Sequence, residues 1–420
     1  GHGTGMAGLA LLGEFSEALS RTDPIHLEHR LESVKLLPTS STTSGDTLHH
    51  AYLTVQAVAA PEIVEPWRRR VFGMMTTARD NRDRGRPSAW SSALDGLACD
   101  ADNDGKSPRL IVVAAGNVDP DSWAQFPDSN TTDTIHDPAQ AWNALTVGAY
   151  TKLDRITEPD SGNLAPVAQA GDLSPFSTTS VEWPQHRPLK PDVVFEGGNL
   201  ANDSISAVQI PSLSLLTTHY QPSRRLLTTA TATSAATALG ARMAAQLRAA
   251  YPALWPETIR GLMVHSAQWT DSMRRMFLRG DPPNKKEYAN LIRHCGFGIP
   301  DITRARWSAS DSLTMMAEET IQPFTQGTNN TPVLRDMVVH RLPWPAEKLA
   351  ELGAAEVEMR VTLSYFIEPN PSSRNVGSRY RYESHGLRFD VKRPHESDAE
   401  FRARIILAAQ EETGATPDSG

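Results

Sequence analysis

Three short segments hold residue types that could carry chemistry. In Leu227 to Leu247, LTTATATSAATALGARMAAQL, a Thr-rich stretch turns at Ser234 into an Ala-rich helix pattern. A hydroxyl there would sit at a helix N-terminus, beside backbone N–H groups that lack intrahelical partners and can stabilise an oxyanion. Serine is also a favoured N-cap, so this residue alone does not decide between catalysis and capping. The chain opens Gly1-His2-Gly3-Thr4-Gly5-Met6-Ala7-Gly8, a glycine-flanked histidine followed by a small-residue helix pattern. Between the two lies Arg109 to Asn117, RLIVVAAGN, an apolar run that predicts a buried strand ending at a Gly-Asn turn.

His, Asn and Ser in this order, in HGTG, AAGN and ATSAA contexts, resemble the subtilisin-like serine peptidases. Further segments extend the resemblance over roughly residues 1–305. Leu31–Leu37 (LESVKLL) is similar to the strand after the family's histidine helix, and Val71–Ala78 (VFGMMTTA) to the edge that pairs with substrate backbone. Ala144–Ala149 (ALTVGA) resembles the strand after the asparagine; Ser174–Ser177 (SPFS) and Lys190-Pro191-Asp192 resemble the approach to the serine helix.

The resemblance implies a serine endopeptidase working through an acyl-enzyme. Ser234 would be the nucleophile, His2 the general base that later returns the proton to the leaving amine, and Asn117 an oxyanion donor beside the Ser234 N–H. Met75, Thr76 and Thr77, with Ala78, would lie along the substrate backbone. Ala114, Ala115 and Gly116 would line the pocket for the side chain before the cut, where small residues leave room for a sizeable apolar or extended group. No cofactor is implied.

Two departures from the family pattern stand out. The usual serine motif is Gly-Thr-Ser-x-Ala-x-Pro, but Ala232 replaces the glycine and Ala238 the proline. The family's aspartate precedes its histidine, whereas this sequence starts one residue before His2, so a chain cut short before that aspartate is expected. Loss of the orienting carboxylate costs on the order of 10⁴ in turnover. The alternative reading is a catalytically impaired peptide-binding or regulatory protein on the same fold. The serine helix resembles a bacterial branch, some of whose members are similar to peptidases that work beside an ATPase in the cytoplasm; a partner ATPase and a cytoplasmic location are the corresponding expectations.

The elements that must position these residues follow an α/β pattern. Strand Leu31–Leu37, helix Leu48–Ala60, strand Arg69–Met75, helix Ser88–Ala98 and strand Arg109–Ala115 alternate, which points to a parallel sheet sandwiched by helices over residues 1–308. Ser234–Tyr251 is small and apolar nearly all round, as befits a buried helix, and Trp255-Pro256 signals the start of another over Pro256–Ser266. Val118–Pro138, Asp154–Asp172 and Asn199–Ser223 read as surface loops. Strand-like runs at Leu313–Ala317, Val333–His340, Glu356–Ser364 and Leu387–Val391 predict an antiparallel β-sandwich over 309–410, followed by a disordered tail over 411–420. A third functional reading makes that module, with Tyr365, Phe366, Tyr380 and Tyr382, a carbohydrate or protein binder.

Composition narrows the remaining classes. The 420 residues are 39% hydrophobic and 21% charged, with a formal net charge of −8 and no long basic run, which argues against a nucleic-acid partner. No stretch of about 18 apolar residues predicts a membrane span. Cys99 and Cys295 allow one bridge at most. Asp100–Gly105 begins like a calcium loop, but the twelfth position is Ile111, so an acidic turn is the better reading. His49-His50 lacks a third ligand nearby, and the mixed run Arg79–Arg86 is either a solvated loop or a contact for substrate or a regulatory protein.

Overall fold

A computed structural model of the chain describes residues 1–36, 50–79, 84–101, 108–159, 161–203, 206–310, 314–322, 324–327, 332–334, 338–341, 345–367, 387, 389–393 and 395–413. The chain divides into two compact units, Gly1–Tyr382 and Glu383–Gly420.

The centre of the first unit is a parallel sheet of four strands, β1 (Val71–Met74), β2 (Leu110–Ala114), β3 (Leu145–Tyr150) and β4 (Val193–Glu196), lying side by side in chain order. Val71 pairs with Leu110, Val112 with Leu145 and Val147 with Val193. All five residues of β2 are buried, because a central parallel strand is covered on both faces. Its side chains alternate accordingly: Leu110 and Val112 enter one core, Ile111 and Val113 the other.

The helices of this unit include α1 (His2–Leu12), α2 (His50–Val64), α3 (Ala89–Cys99), α4 (Ala232–Ala250), α5 (Pro256–Ser266), α6 (Lys285–Cys295), α7 (Ile302–Ser310) and α8 (Ala346–Leu352); α9 (Asp398–Thr413) belongs to the second unit. The first core lies between the sheet and α4 and α5, where Ala236, Met243, Ala244 and Leu247 meet Ile259 and Met263. The second packs Trp90, Leu94 and Ala98 of α3 on the opposite face. Helix α3 starts at a capping box, in which the Ser88 hydroxyl accepts from the Trp90 and Ser91 amides, and α5 has Pro256 at its first position.

A hairpin of β5 (Leu215–Thr218) and β6 (Leu227–Ala230) leads into α4 and carries α1 on its surface. Thr217 Oγ1 donates to the Gly5 carbonyl at 2.6 Å and Thr218 Oγ1 to that of Thr4 at 2.8 Å. Gly8 permits this approach: a Cβ there would fall 2.5 and 2.6 Å from the two threonine hydroxyls.

Two sequence expectations change. The strand expected at Leu31–Leu37 is absent over 31–36, and residue 37 lies outside the described residues. Leu31 and Val34 remain exposed, so the segment has no apolar face to bury against a sheet; Glu32 instead pairs with Arg68 and Arg70, each at 2.6 Å, just ahead of β1. Among the described residues of 309–410 the only ladder is β7 (Phe324–Gln326) against β8 (Pro332–Leu334), so a sandwich is not seen there. Glu356–Ser364 is irregular and is held by side chains at α5: Arg360 donates to the His265 carbonyl at 2.7 Å, and Thr362 meets the His265 ring at 2.8 Å. In the second unit, α9 takes in Glu411–Thr413 of the expected tail, and Arg404 pairs with Glu396 and Asp390.

Candidate active site

Ser234 lies in the first turn of α4, as the Thr-to-Ala transition predicts, and is 8% exposed. Ahead of it, Thr231 is extended and Ala232 takes a φ of +72°, a left-handed conformation that an L-residue with a Cβ adopts only at a cost. The start of α4 is therefore built from a strained turn. The Ala232 amide donates to the Gly197 carbonyl at 2.6 Å and the Thr233 amide to Asn117 Oδ1 at 3.0 Å. Among the described residues no protein group takes the Ser234 N–H, which leaves it available to an incoming anion. The Ser234 hydroxyl donates to the Met75 carbonyl at 3.3 Å.

Asn117 follows the end of β2 and bridges Ser177 of the SPFS segment. Its carboxamide orientation is set by Thr233: both the Thr233 amide and its hydroxyl, at 2.7 Å, donate to Oδ1. The Nδ2 donor is thereby turned away from Thr233. The hydroxyl of Thr233, which is fully buried, also reaches the Gly116 carbonyl at 3.1 Å.

His2 opens α1. Met6, one turn further, packs with Leu9 against Ala235 and Ala238 of α4 and against Met75. Residues four apart share a helix face, so His2 with Met6 and Ser234 with Ala238 lie on faces that meet in one cluster. The His2 pKa is lowered from its ordinary value by burial, which favours the neutral ring. Among the described residues no carboxylate is bonded to it.

The remaining predicted residues form two edges. Met75, Thr76 and Thr77 continue from β1, and Ala78 bridges Asp137. Ala114 ends β2; the Ala115 amide still donates to Val147, and the Ala115 and Gly116 carbonyls both accept from Thr178. Sequence reasoning missed His136, which joins the edges: its amide donates to the Ala115 carbonyl at 2.9 Å and its Nδ1 lies 3.2 Å from Thr77 Oγ1. Burial, with a further contribution from Arg79 that outweighs the opposing pull of Asp133, lowers its pKa to about 4. Arg79 itself is ion-paired with Asp119, which holds the Asp119 carboxyl below its ordinary range.

Other candidates lead elsewhere. Among the described residues no group of three or more His, Cys, Asp or Glu could hold a metal. Of the calcium-like loop, Asp100 caps α3 and pairs with Arg109, while residues 102–105 lie outside the described residues. His50 stacks on Trp90 at 4.6 Å; His49, Tyr380 and Tyr382 lie outside. Cys99 and Cys295 form no bridge with each other. No helix among the described residues is long and apolar enough to cross a membrane. Lys190 is buried, with its amine on the Ala144 carbonyl at 2.9 Å and Asp192 at 2.7 Å, a structural tie beneath the sheet.

A protein of Sinorhizobium fredii (strain NBRC 101917 / NGR234), described as uncharacterized protein y4bN, is 26% identical over 329 residues, covering 74% of this chain and 68% of that protein. The prenylagaramide maturation protease PagA is similar in structure at 15% identity and a TM-score of 0.35, over 61% of this chain and 66% of PagA, just under two thirds of its length. The Subtilase family profile matches residues 1–298, a span that holds His2, Asn117 and Ser234, and the chain belongs to this family of serine peptidases.

Proposed function

We propose that the chain is a serine endopeptidase that hydrolyses peptide bonds through an acyl-enzyme. The observation that carries this reading is the contact between the two ends of the site: Thr233, one residue before Ser234, holds Asn117 by its Oδ1 and frees the amide nitrogen to donate. The Ser234 hydroxyl, which donates to Met75 in the free protein, turns to the scissile carbonyl as His2 takes its proton. Asn117 Nδ2 and the Ser234 N–H then receive the oxyanion in a site where both donors are already oriented. The imidazolium returns its proton to the leaving amine, and water attacks the acyl-enzyme with His2 again as base. Peptide backbone runs along Met75–Ala78. A cytoplasmic site of action and a partner ATPase belong to the same proposal, supported only by the likeness of the serine helix.

The test is covalent labelling. A fluorophosphonate should add to Ser234, read by intact mass, with Ser234→Ala as the blank. Absence of the adduct, both in this chain and in one extended upstream of Gly1, would replace the peptidase reading with that of a peptide-binding protein on the same fold.

A further inference from the structure

The two edges proposed to flank the substrate side chain before the cut do not face an open space. His136 is bonded to both, through its amide to the Ala115 carbonyl and through Nδ1 to Thr77, and the next residue, Asp137, exchanges backbone hydrogen bonds with Ala78 at 2.8 and 2.9 Å. Gly116 has a φ of +105°, and a Cβ built on it would come 2.2 Å from the imidazole Cγ and 2.6 Å from Nδ1. The ring therefore lies directly against the Gly116 backbone, in the volume that the small residues Ala114-Ala115-Gly116 would otherwise leave to a substrate group. Beyond the ring, the ion pair of Arg79, next after Ala78, with Asp119, two residues past Asn117, ties the same two edges together a second time. The Asp119 amide is held in turn by Asp133 at 2.9 Å.

We infer that His136 closes the pocket before the cut to all but short, uncharged side chains, so that the chain takes peptides with glycine, alanine or serine ahead of the scissile bond. The inference rests on the peptidase reading above. It replaces the expectation of a sizeable apolar group, which follows from the edges alone. The ring is uncharged near neutral pH, since its pKa is about 4, and the Arg79 guanidinium is engaged by Asp119, so neither offers a free cation to an acidic side chain.

Two peptide diphenylphosphonates, identical but for an alanine or a phenylalanine side chain next to phosphorus, provide the test, with the rate of Ser234 modification read by intact mass. The native chain should react at least ~10-fold faster with the alanine probe, the discrimination that a few methylene groups command in a tight pocket. His136→Gly and His136→Ala should each move the ratio ~10-fold or more toward phenylalanine, while His136→Gln, which fills the same volume, should keep the alanine preference. Thermal unfolding of each variant shows whether it is folded, and the native ratio needs no variant at all: a native preference for phenylalanine overturns the inference. So does an unchanged ratio in folded His136→Gly or His136→Ala. A plain fluorophosphonate separates the two levels. If it modifies Ser234 while the ratio fails, the peptidase reading stands and the pocket inference falls; if Ser234 stays unmodified both in this chain and in one extended upstream of Gly1, the peptidase reading falls and takes the inference with it.

Discussion

Asn117 separates catalysis from architecture, because its two side-chain atoms face different tasks. Oδ1 accepts from the Thr233 amide at 3.0 Å and hydroxyl at 2.7 Å; Nδ2 is the proposed oxyanion donor. Asn117→Asp keeps the acceptor and deletes the donor, whereas Asn117→Leu deletes both. Removing one oxyanion donor costs ~10²–10³ in turnover, a magnitude measured in subtilisin and carried over here from that relative. Both variants should therefore slow acylation of Ser234 by about that factor. Their stabilities should differ. In Asn117→Leu the Thr233 hydroxyl can fall back on the Gly116 carbonyl at 3.1 Å, so one buried N–H is orphaned, at ~1–3 kcal/mol. In Asn117→Asp that N–H keeps its acceptor, and the added charge sits at a helix N-terminus, where it is tolerated. Acylation rates with a chromogenic peptide ester and denaturant titration of the three proteins supply both numbers. Asn117→Asp reacting within ~5-fold of the native chain would remove the oxyanion role. Equal stability of the two variants would show that the Thr233 contact does not organise the helix start.

Ala232→Gly relieves a left-handed Ala at ~1–3 kcal/mol and gives back ~0.5–1 kcal/mol through unfolded-chain freedom, so it should gain about 1 kcal/mol by denaturant titration; a loss would mean the methyl packs usefully. His2, with its pKa lowered, stays a competent base until the pH drops below 6.5, so the acid limb of kcat/KM should lie below that value, and a limb above it would reassign the base. His136 titrates near pH 4 when folded, against 6.5 for the free ring. The unfolded chain thus binds the proton first, and up to about 3 kcal/mol of stability should drain away as the pH falls between those values. Denaturant midpoints against pH should lose that slope in His136→Gln. Arg260, half-buried with its guanidinium 4.7 Å over the Phe366 ring, donates to the Asn143 carbonyl at 2.7 Å and to the Tyr365 carbonyl at 2.5 Å. Arg260→Met should cost about 3 kcal/mol and open residues 356–367 to limited proteolysis; an unchanged digestion pattern would show that the segment is held by other contacts.

Local pattern made some elements legible and hid others for one physical reason. Leu110–Ala114 is apolar on both faces and can only be a covered strand; Pro256 and Ser88 mark helix starts by backbone chemistry that needs no distant partner. Glu356–Ser364 alternates as a strand should, yet Arg360, Thr362 and Ser364 on one side bond to α5 while Val357, Met359, Val361 and Leu363 on the other stay 40–54% exposed. Period two reports that a segment can be extended, not that a neighbouring strand exists to receive it. The site divides along the same line. Ser234 at a helix start and Asn117 at a strand end are marked by what surrounds them in sequence. His136 is marked by nothing local, because its place follows from hydrogen bonds to Ala115 and Thr77, 21 and 59 residues away. Gly116 carried the signal in a form open to two readings: a glycine before Asn117 suits a turn, but here it is the bare backbone that a ring must touch. The residues proposed to react are written into short motifs, whereas His136, proposed to decide what may approach them, is placed by long-range packing.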